Sequence, residues 1–307
     1  MVKEIKKNNR SFKDKKLVEY LAVPPGDFSC TCSCNHCYLL RSSSYQNRAQ
    51  RSEEKIIQDI NNLTEEGYKV FFCTTELFLF DRWKEIFQIA GYKSIRTNGY
   101  PFVSDSRLID EIKNMGISKV TFTANAGDYH SGLNLPQEEI VKEAIRMSNN
   151  KNLLTSVNVL LNKNNYLNLE EMISPYLDLG VDYFIFSRIL PIEGAKDLLE
   201  TEDTKMVYNQ VSNLKKKFPL DKTGKYFEVS GEMGSKFRPH REKTGFYCPA
   251  GGRLLAIGLD DHVYPCSFMT QEKYNLGKLE QGKIVLERNF DLKLKDPFGC
   301  FAHDIKF

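Results

Sequence analysis

Four cysteines lie within eight residues near the start of the chain, in the order Cys30, Cys32, Cys34 and Cys37. Cysteine thiolates are the preferred ligands of soft metals and iron–sulfur clusters, so this density predicts a metal centre. A zinc ion bound by all four thiolates is one interpretation. Cysteines at alternate positions of one short loop surround a tetrahedral ion awkwardly, which counts against that interpretation.

A second group of cysteines lies toward the C-terminus, at Cys248, Cys266 and Cys300. His303 follows Cys300 at a spacing that zinc ligands use, so a zinc site of three thiolates and one imidazole is an interpretation here too. The sequence therefore predicts two separate metal centres.

The composition excludes several classes of protein. The chain has 307 residues, with 43 Lys and Arg against 40 Asp and Glu, and no apolar run approaches the roughly 20 residues that cross a bilayer. Basic residues cluster only in residues 1–16, so no face for nucleic acid is expected. Because no secretory signal is apparent, we expect a cytoplasmic protein with reduced cysteines and no membrane partner.

Six runs rich in β-branched and aromatic residues alternate with amphipathic helical segments, which predicts six βα units. The predicted strands are 17–23, 68–74, 94–98, 119–125, 153–161 and 182–188. Right-handed crossovers place such strands in a parallel sheet that curls toward a barrel. The first cysteine loop begins after the first strand, at the mouth of the sheet where barrel proteins carry their chemistry.

The pattern changes after a helix predicted near residues 204–218. The segment 221–253 is rich in Lys, Gly and charge, and Asp260-Asp261 between two apolar runs predicts a β-hairpin. We therefore predict two domains: residues 1–220 form the barrel, and residues 221–307 form a smaller domain of strands and turns.

The segment Cys30-x3-Cys34-x2-Cys37 resembles the CxxxCxxC signature of the radical SAM enzymes. The resemblance implies an α/β fold with a partial (β/α)6 TIM-like barrel, in which these three thiolates hold a [4Fe-4S] cluster with one iron left for S-adenosylmethionine (SAM). It further implies that an electron from the reduced cluster cleaves SAM to methionine and a 5'-deoxyadenosyl radical, which removes a hydrogen atom from the substrate.

Polar residues at the strand ends extend the resemblance to SAM binding. Thr74-Thr75-Glu76 follows the second strand, where the family carries Gly-Gly-Glu, and this implies that Thr74, Thr75 and Glu76 hold the SAM amino group. Asn158 and Ser187 are the predicted contacts to the ribose or carboxylate of SAM. Thr97-Asn98-Gly99 after the third strand resembles the family's TNG segment. The alternative for such residues is ordinary strand-end capping.

The C-terminal cysteines and Val263-Tyr264-Pro265-Cys266 resemble the twitch or SPASM extension of the same family. The resemblance implies a small α+β extension with one auxiliary [4Fe-4S] cluster on Cys248, Cys266 and Cys300. The fourth ligand stays open between His303, a bound substrate or small molecule, and another residue.

Two cysteines, Cys32 and Cys73, lie outside both predicted ligand sets. A thiol has a weak S–H bond and donates a hydrogen atom to carbon radicals, as in related epimerases, so Cys73 and Cys32 are candidate catalytic residues. The alternatives are a small buried side chain for Cys73 and a loop filler for Cys32.

These features predict a radical SAM enzyme that acts on a ribosomally synthesised peptide, by epimerisation or crosslinking, with an external electron donor such as flavodoxin or ferredoxin. One alternative is a dehydrogenase or epimerase of a small aminocyclitol or aminoglycoside with the same cofactors. Another is a zinc-stabilised binding protein without catalysis.

Overall fold

The computed structural model describes residues 17–25, 30–34, 37–91, 94–124, 128–129, 136–190, 197–230 and 248–290. Its strands are β1 (Leu17–Ala22), β2 (Cys32–Ser33), β3 (Lys69–Thr74), β4 (Ser94–Thr97), β5 (Lys119–Ala124), β6 (Asp128–Tyr129), β7 (Leu154–Leu161), β8 (Tyr183–Arg188), β9 (Tyr226–Val229), β10 (Leu254–Ile257), β11 (His262–Tyr264), β12 (Gly277–Glu280) and β13 (Lys283–Leu286).

The helices lie mostly between parallel strands. They are α1 (Ser43–Gln46), α2 (Glu53–Glu65), α3 (Trp83–Ala90), α4 (Tyr100–Ser104), α5 (Arg107–Asn114), α6 (Gln137–Asn150), α7 (Leu169–Asp178), α8 (Thr201–Lys217) and α9 (Leu220–Thr223). Within the described ranges, no helix is both long enough and apolar enough to cross a membrane.

The parallel strands form two sheets. One contains β4, β5, β7, β8 and β9 in this order, and the other runs β13-β12-β11-β10-β1-β3, with β10, β1 and β3 parallel. In the described residues no ladder joins β3 to β4. The order of strands and helices is that of a TIM-like barrel, as predicted.

The six predicted strands are confirmed, and the structure adds two parallel strands to them. β9 pairs with β8 although it lies beyond residue 220, and β10 pairs with β1 as well as with β11. The predicted hairpin around Asp260-Asp261 is confirmed as β10–β11. The division into residues 1–220 and 221–307 stays a prediction, because hydrogen bonds tie both added strands to the barrel sheets.

Local sequence signals explain where the helices begin and end. Ser52 accepts a hydrogen bond from the backbone N–H of Lys55 and so caps α2, as its sequence position predicts. Gly91 and Gly116 follow α3 and α5 with φ of 67° and 76°, a left-handed conformation that only glycine adopts without strain. The apolar helix faces and strands then share one large core.

Two polar contacts attach the C-terminal segment to β1. The buried carboxylate of Glu19 accepts a hydrogen bond of 2.8 Å from the backbone N–H of Ser267. The guanidinium of Arg51 donates to the carbonyl of Leu21 and to the carboxylate of Asp261 in the hairpin turn, both at 2.7 Å. Segments more than 200 residues apart in sequence are thereby held beside the first cysteine loop.

Candidate active site

A cavity of about 210 Å³ opens at the carboxyl ends of the parallel strands. Its described wall consists of cysteines, strand-end polar residues and a few apolar side chains: Cys30, Cys32, Cys34, Cys37, Tyr38, Leu39, Leu40, Thr74, Thr75, Arg96, Thr97, Asn98, Thr123, Asn158, Leu160, Ser187, Arg188, Ile189, Leu190 and Phe268. The predicted location at the mouth of the barrel is therefore where the structure brings chemistry-bearing residues together.

The first cysteine loop forms one side of this cavity. Its short strand β2 pairs antiparallel with β6, which follows β5, so the loop lies against the segment beyond the fourth predicted strand. The backbone N–H of Cys37 donates to the carbonyl of Cys34 at 3.2 Å, and this turn brings both cysteines to the cavity. His36, which the sequence analysis did not assign as a ligand, lies outside the described residues.

The local environment favours a thiolate at Cys30. A hydrogen bond from the Cys32 thiol, helped by backbone N–H groups of residues 31 and 32 and by the side chain of Asn98, lowers the pKa of Cys30 to about 7. Hydrogen bonds from the Cys32 thiol to Cys30 and Cys34, together with burial, raise the pKa of Cys32. Burial raises the pKa of Cys37 to about 11. One thiolate of the loop is thus stabilised before any metal binds.

The thiols of the first cysteine loop are a donor set that suits an iron–sulfur cluster. In a cluster each iron is bound by its own thiolate, so the ligands spread around a larger body. Cys30, Cys34 and Cys37 all line the same cavity, which suits that arrangement.

Four of the predicted SAM contacts lie in the cavity wall. Thr74, Thr75, Asn158 and Ser187 all line it, and the Ser187 hydroxyl donates to the Asn158 side-chain carbonyl at 2.6 Å. In the described part of the chain, the buried hydroxyl of Thr74 has no hydrogen-bond partner. A buried polar group without a protein partner is typical of a site that receives a ligand.

Glu76 occupies a different place from the other predicted contacts. It is 1% exposed and is not among the described residues that line the cavity. Its Oε2 accepts hydrogen bonds from the Thr97 hydroxyl at 2.9 Å and from the backbone N–H of Asn98 at 3.1 Å. Burial outweighs these bonds and raises the pKa of Glu76 to about 7. The carboxylate is therefore buried against the Thr97-Asn98 segment at the end of β4, and it is not part of the described wall.

Positive charge in the wall was not predicted from the sequence. Arg188 ends β8 with only 5% exposure and Arg96 lies on β4, whereas no Asp or Glu belongs to the described wall. Arg188 directly follows the predicted contact Ser187 in sequence. This strand-end position is the signal from which its place in the wall could have been predicted. A wall with two guanidinium groups suits a ligand that carries a carboxylate.

The two candidate hydrogen donors differ in position. Cys32 is 5% exposed and lines the cavity next to the predicted cluster ligands. Cys73, at the end of β3, is not in the described wall and packs with Tyr38 against a small apolar cluster. Burial, followed by the nearby carboxylate of Glu19, raises the pKa of Cys73. Of the two thiols, Cys32 is the one that belongs to the described cavity wall, whereas Cys73 is half-buried outside it.

The C-terminal cysteines lie in apolar surroundings. Cys248 and Cys266 belong to one cluster with Ala250 and Met269, and burial raises the pKa of Cys266. The backbone N–H of Gly251 donates to the carbonyl of Pro265 at 3.0 Å, which holds the two cysteine segments together. The predictions for Cys300 and His303 fall outside the described residues.

An aromatic contact connects the two cysteine regions. The rings of Tyr38, next to Cys37, and Phe268, next but one to Cys266, meet edge to face with centroids 5.0 Å apart. Phe268 also lines the cavity, so the C-terminal segment contributes directly to its wall. This contact could not be predicted, because nothing in the sequence indicates that β10 pairs with β1.

Several solved proteins share this fold. The structure of anSMEcpe with bound AdoMet, which is SAM, matches with a TM-score of 0.63 at 14% sequence identity, over 94% of this chain and 81% of anSMEcpe. The same protein with AdoMet and the Cp18Cys peptide gives 0.61 at 15% identity over the same shares. Streptococcus suis SuiB bound to precursor peptide SuiA gives 0.60 at 16% identity, over 88% of this chain and 64% of SuiB.

These structures of AdoMet-bound and peptide-bound proteins share the fold of this chain, so the predicted fold is confirmed. No family model matches the sequence, and no curated protein matches it. The TM-scores of 0.60 to 0.63 establish the fold, and at identities of 14% to 16% the likeness shows the fold alone.

Proposed function

We propose that this protein is a radical SAM enzyme that removes a hydrogen atom from a peptide substrate. One observation carries the proposal. Three cysteines with the CxxxCxxC spacing line a single cavity at the carboxyl ends of parallel strands, in a fold shared with proteins solved with AdoMet. A cavity with several convergent polar groups at this end of a barrel is the usual place for catalysis.

The cluster ligands in this proposal are Cys30, Cys34 and Cys37. When bound there in its reduced state, a [4Fe-4S] cluster supplies the electron that cleaves SAM to methionine and a 5'-deoxyadenosyl radical. The lowered pKa of Cys30 supports a ligand role because the thiolate is the form that binds iron.

The polar residues of the cavity wall bind SAM and the substrate in this proposal. Thr74 and Thr75 offer hydroxyls at the end of β3, and the hydrogen-bonded pair of Asn158 and Ser187 lies across the cavity. Arg188 supplies positive charge for a carboxylate. The apolar residues of the wall exclude water from the cavity. This protects a carbon radical from side reactions.

A peptide is the substrate class that the structural relatives favour. SuiB was solved with its precursor peptide SuiA and anSMEcpe with the Cp18Cys peptide, and both share the fold of this chain. Epimerisation or crosslinking is the proposed outcome. In an epimerisation, Cys32 is the thiol positioned to return a hydrogen atom to the substrate carbon, since it lines the cavity.

The proposal includes an auxiliary [4Fe-4S] cluster on Cys248, Cys266 and Cys300, and an external donor such as flavodoxin or ferredoxin. The proximity of Cys248 and Cys266 in one cluster of side chains supports the first part. We also propose a cytoplasmic location, because cluster ligands must be reduced thiolates and the cytosol keeps thiols reduced.

The test is anaerobic reconstitution followed by a SAM cleavage assay. We expect about eight irons per chain and release of 5'-deoxyadenosine after reduction. A colourless protein with stoichiometric zinc, or intact clusters that never release 5'-deoxyadenosine, would refute the proposal.

The hydrogen donor is tested with a matched pair of cysteine variants in D₂O. Cys32→Ala should keep 5'-deoxyadenosine formation and lose deuterium incorporation into the product peptide. Cys73→Ala is the control, because this thiol is the other candidate donor and is not among the described residues that line the cavity. If Cys73→Ala loses the deuterium and Cys32→Ala keeps it, the assignment of Cys32 is wrong.

A further inference from the structure

The carboxylate of Glu76 and the amide of Asn98 form a chain of hydrogen bonds that ends on the first cysteine loop. Glu76 accepts from the Thr97 hydroxyl and the Asn98 backbone N–H. The side chain of Asn98 then donates to the hydroxyl of Thr31 at 2.7 Å. Thr31 directly follows Cys30, so the chain connects the end of β3, the end of β4 and the loop.

The orientation of the Asn98 amide follows from its neighbours. Its oxygen accepts the backbone N–H of Tyr100 at 3.0 Å, at the first residue of α4. The nitrogen must therefore face the other way, where it donates to Thr31 and contacts Cys30. An amide fixed at one end by a helix can hold the loop only in one position.

Glu76 fixes the backbone from which Asn98 projects. The residues of this chain are almost fully buried, with exposures of 1% for Glu76, 2% for Thr97 and 7% for Asn98. A buried carboxylate without partners is costly, so the two bonds to its Oε2 are strong constraints on the Thr97-Asn98 segment. The Thr97 hydroxyl also accepts the backbone N–H of Gly99, which closes the turn.

We propose that Glu76 is a positioning residue, which holds the Cys30–Cys34 loop in place through Asn98 and does not itself bind the SAM ammonium group. This inference rests on the proposed function. Its grounds are the location of the carboxylate outside the described wall and the continuous path of hydrogen bonds from Oε2 to Thr31. Loss of the Glu76 carboxylate frees the Asn98 segment, and the loop then loses its contact at Thr31.

The test compares two substitutions of Glu76 in the full chain. Glu76→Gln keeps an oxygen that accepts the Asn98 N–H and removes the charge, whereas Glu76→Ala removes the acceptor. In the cluster-free chain, we expect Glu76→Ala to raise amide hydrogen exchange in residues 30–34 by about tenfold. Glu76→Gln should stay within about threefold of the wild type.

Asn98→Ala and a control complete the set. Asn98→Ala should raise exchange in the loop as Glu76→Ala does, and the double variant should add little because the two residues act in series. Thr123→Val is the matched control, since Thr123 is a strand-end wall residue on β5 outside the hydrogen-bond chain. Equal loop exchange in Thr123→Val and Glu76→Ala would overturn the inference, as would unchanged exchange in Glu76→Ala.

SAM binding to the reconstituted protein separates the two roles of Glu76. A positioning role predicts that Glu76→Gln keeps the SAM Kd within about threefold, whereas a direct ion pair with the ammonium predicts a rise of tenfold or more. A tenfold rise with wild-type loop exchange would overturn the inference. If neither the wild type nor any variant binds SAM or a cluster, the proposed function fails. The exchange measurements still decide the positioning role in that case.

Discussion

The two cysteine regions of this protein differ in what surrounds their sulfur atoms. In the first loop, hydrogen-bond donors lower the pKa of Cys30 to about 7, and the cysteines face a cavity lined with polar groups. In the C-terminal segment, Cys266 is 7% exposed among apolar side chains, and burial raises its pKa. The environment thus favours a thiolate at Cys30, whereas burial favours neutral thiols at Cys37 and Cys266.

This difference indicates separate tasks for the two regions. A loop that stabilises a thiolate and opens on a cavity suits a centre that meets ligands. A packed apolar site must deprotonate its thiols when metal binds, and it shields the metal from solvent. We therefore expect the first centre to carry the chemistry and the second to be a protected centre that also closes the cavity through Phe268.

The largest expected effect comes from the first region. Cys34→Ala removes a proposed cluster ligand that lines the cavity, so release of 5'-deoxyadenosine should fall to the background of the assay. Cys73→Ala is the matched control, because it removes a neighbouring thiol outside the described wall. SAM cleavage by Cys34→Ala at wild-type rates would contradict the assignment of this loop.

A smaller effect on chemistry is expected in the second region. Cys266→Ala should lower the iron content by about four per chain, as one cluster is lost, while release of 5'-deoxyadenosine continues. Ser267→Ala serves as the control, since it removes the neighbouring hydroxyl and its bond to Glu19 but keeps the thiol of Cys266 and the backbone N–H that Glu19 accepts. If Cys266→Ala keeps all its iron, the auxiliary cluster does not use this residue.

The buried acid of the first region predicts a pH-dependent stability. Because the pKa of Glu76 rises from its ordinary 4.5 to about 7, the folded state holds this proton more tightly than the unfolded state. Its contribution is complete below pH 4.5 and is lost as the pH rises through 7, a change of about 3 kcal/mol.

Urea unfolding of the cluster-free chain at pH 5 and pH 8 measures this contribution. Glu76→Gln lacks this proton, so its free energy of unfolding should fall by about 2.5 kcal/mol less than that of the wild type between pH 5 and pH 8. Equal pH dependence of the two proteins would show that Glu76 is ionised in the folded protein throughout.

The strands and four of the predicted SAM contacts in the cavity wall were predictable from the sequence, for physical reasons. Ser52 and Gly91 are local signals whose effect does not depend on distant residues. The strand-end position of Asn158 and Ser187 follows from parallel order alone. Each of these predictions needed only the neighbouring residues or the direction of the strands.

Pairings between distant segments could not be predicted in the same way. The four residues of β9 carry too short a pattern to indicate a strand, and no local signal indicates that β10 pairs with β1. The place of Glu76 outside the wall depends on Thr97 and Asn98, which are more than 20 residues away in sequence. Such contacts are properties of the tertiary structure.

The smallest expected effect concerns the contact between the two regions. The edge-to-face pair of Tyr38 and Phe268 should contribute about 1 kcal/mol beyond the burial of its area. A double-mutant cycle with Tyr38→Leu and Phe268→Leu, measured by urea unfolding of the cluster-free chain, isolates this coupling. Tyr183 and Tyr226, a tilted pair on β8 and β9 away from both cysteine regions, form the control cycle. A coupling near zero for Tyr38 and Phe268 would mean that the C-terminal segment is held to the barrel by β1 and its polar contacts alone. The two cysteine regions would then be energetically independent.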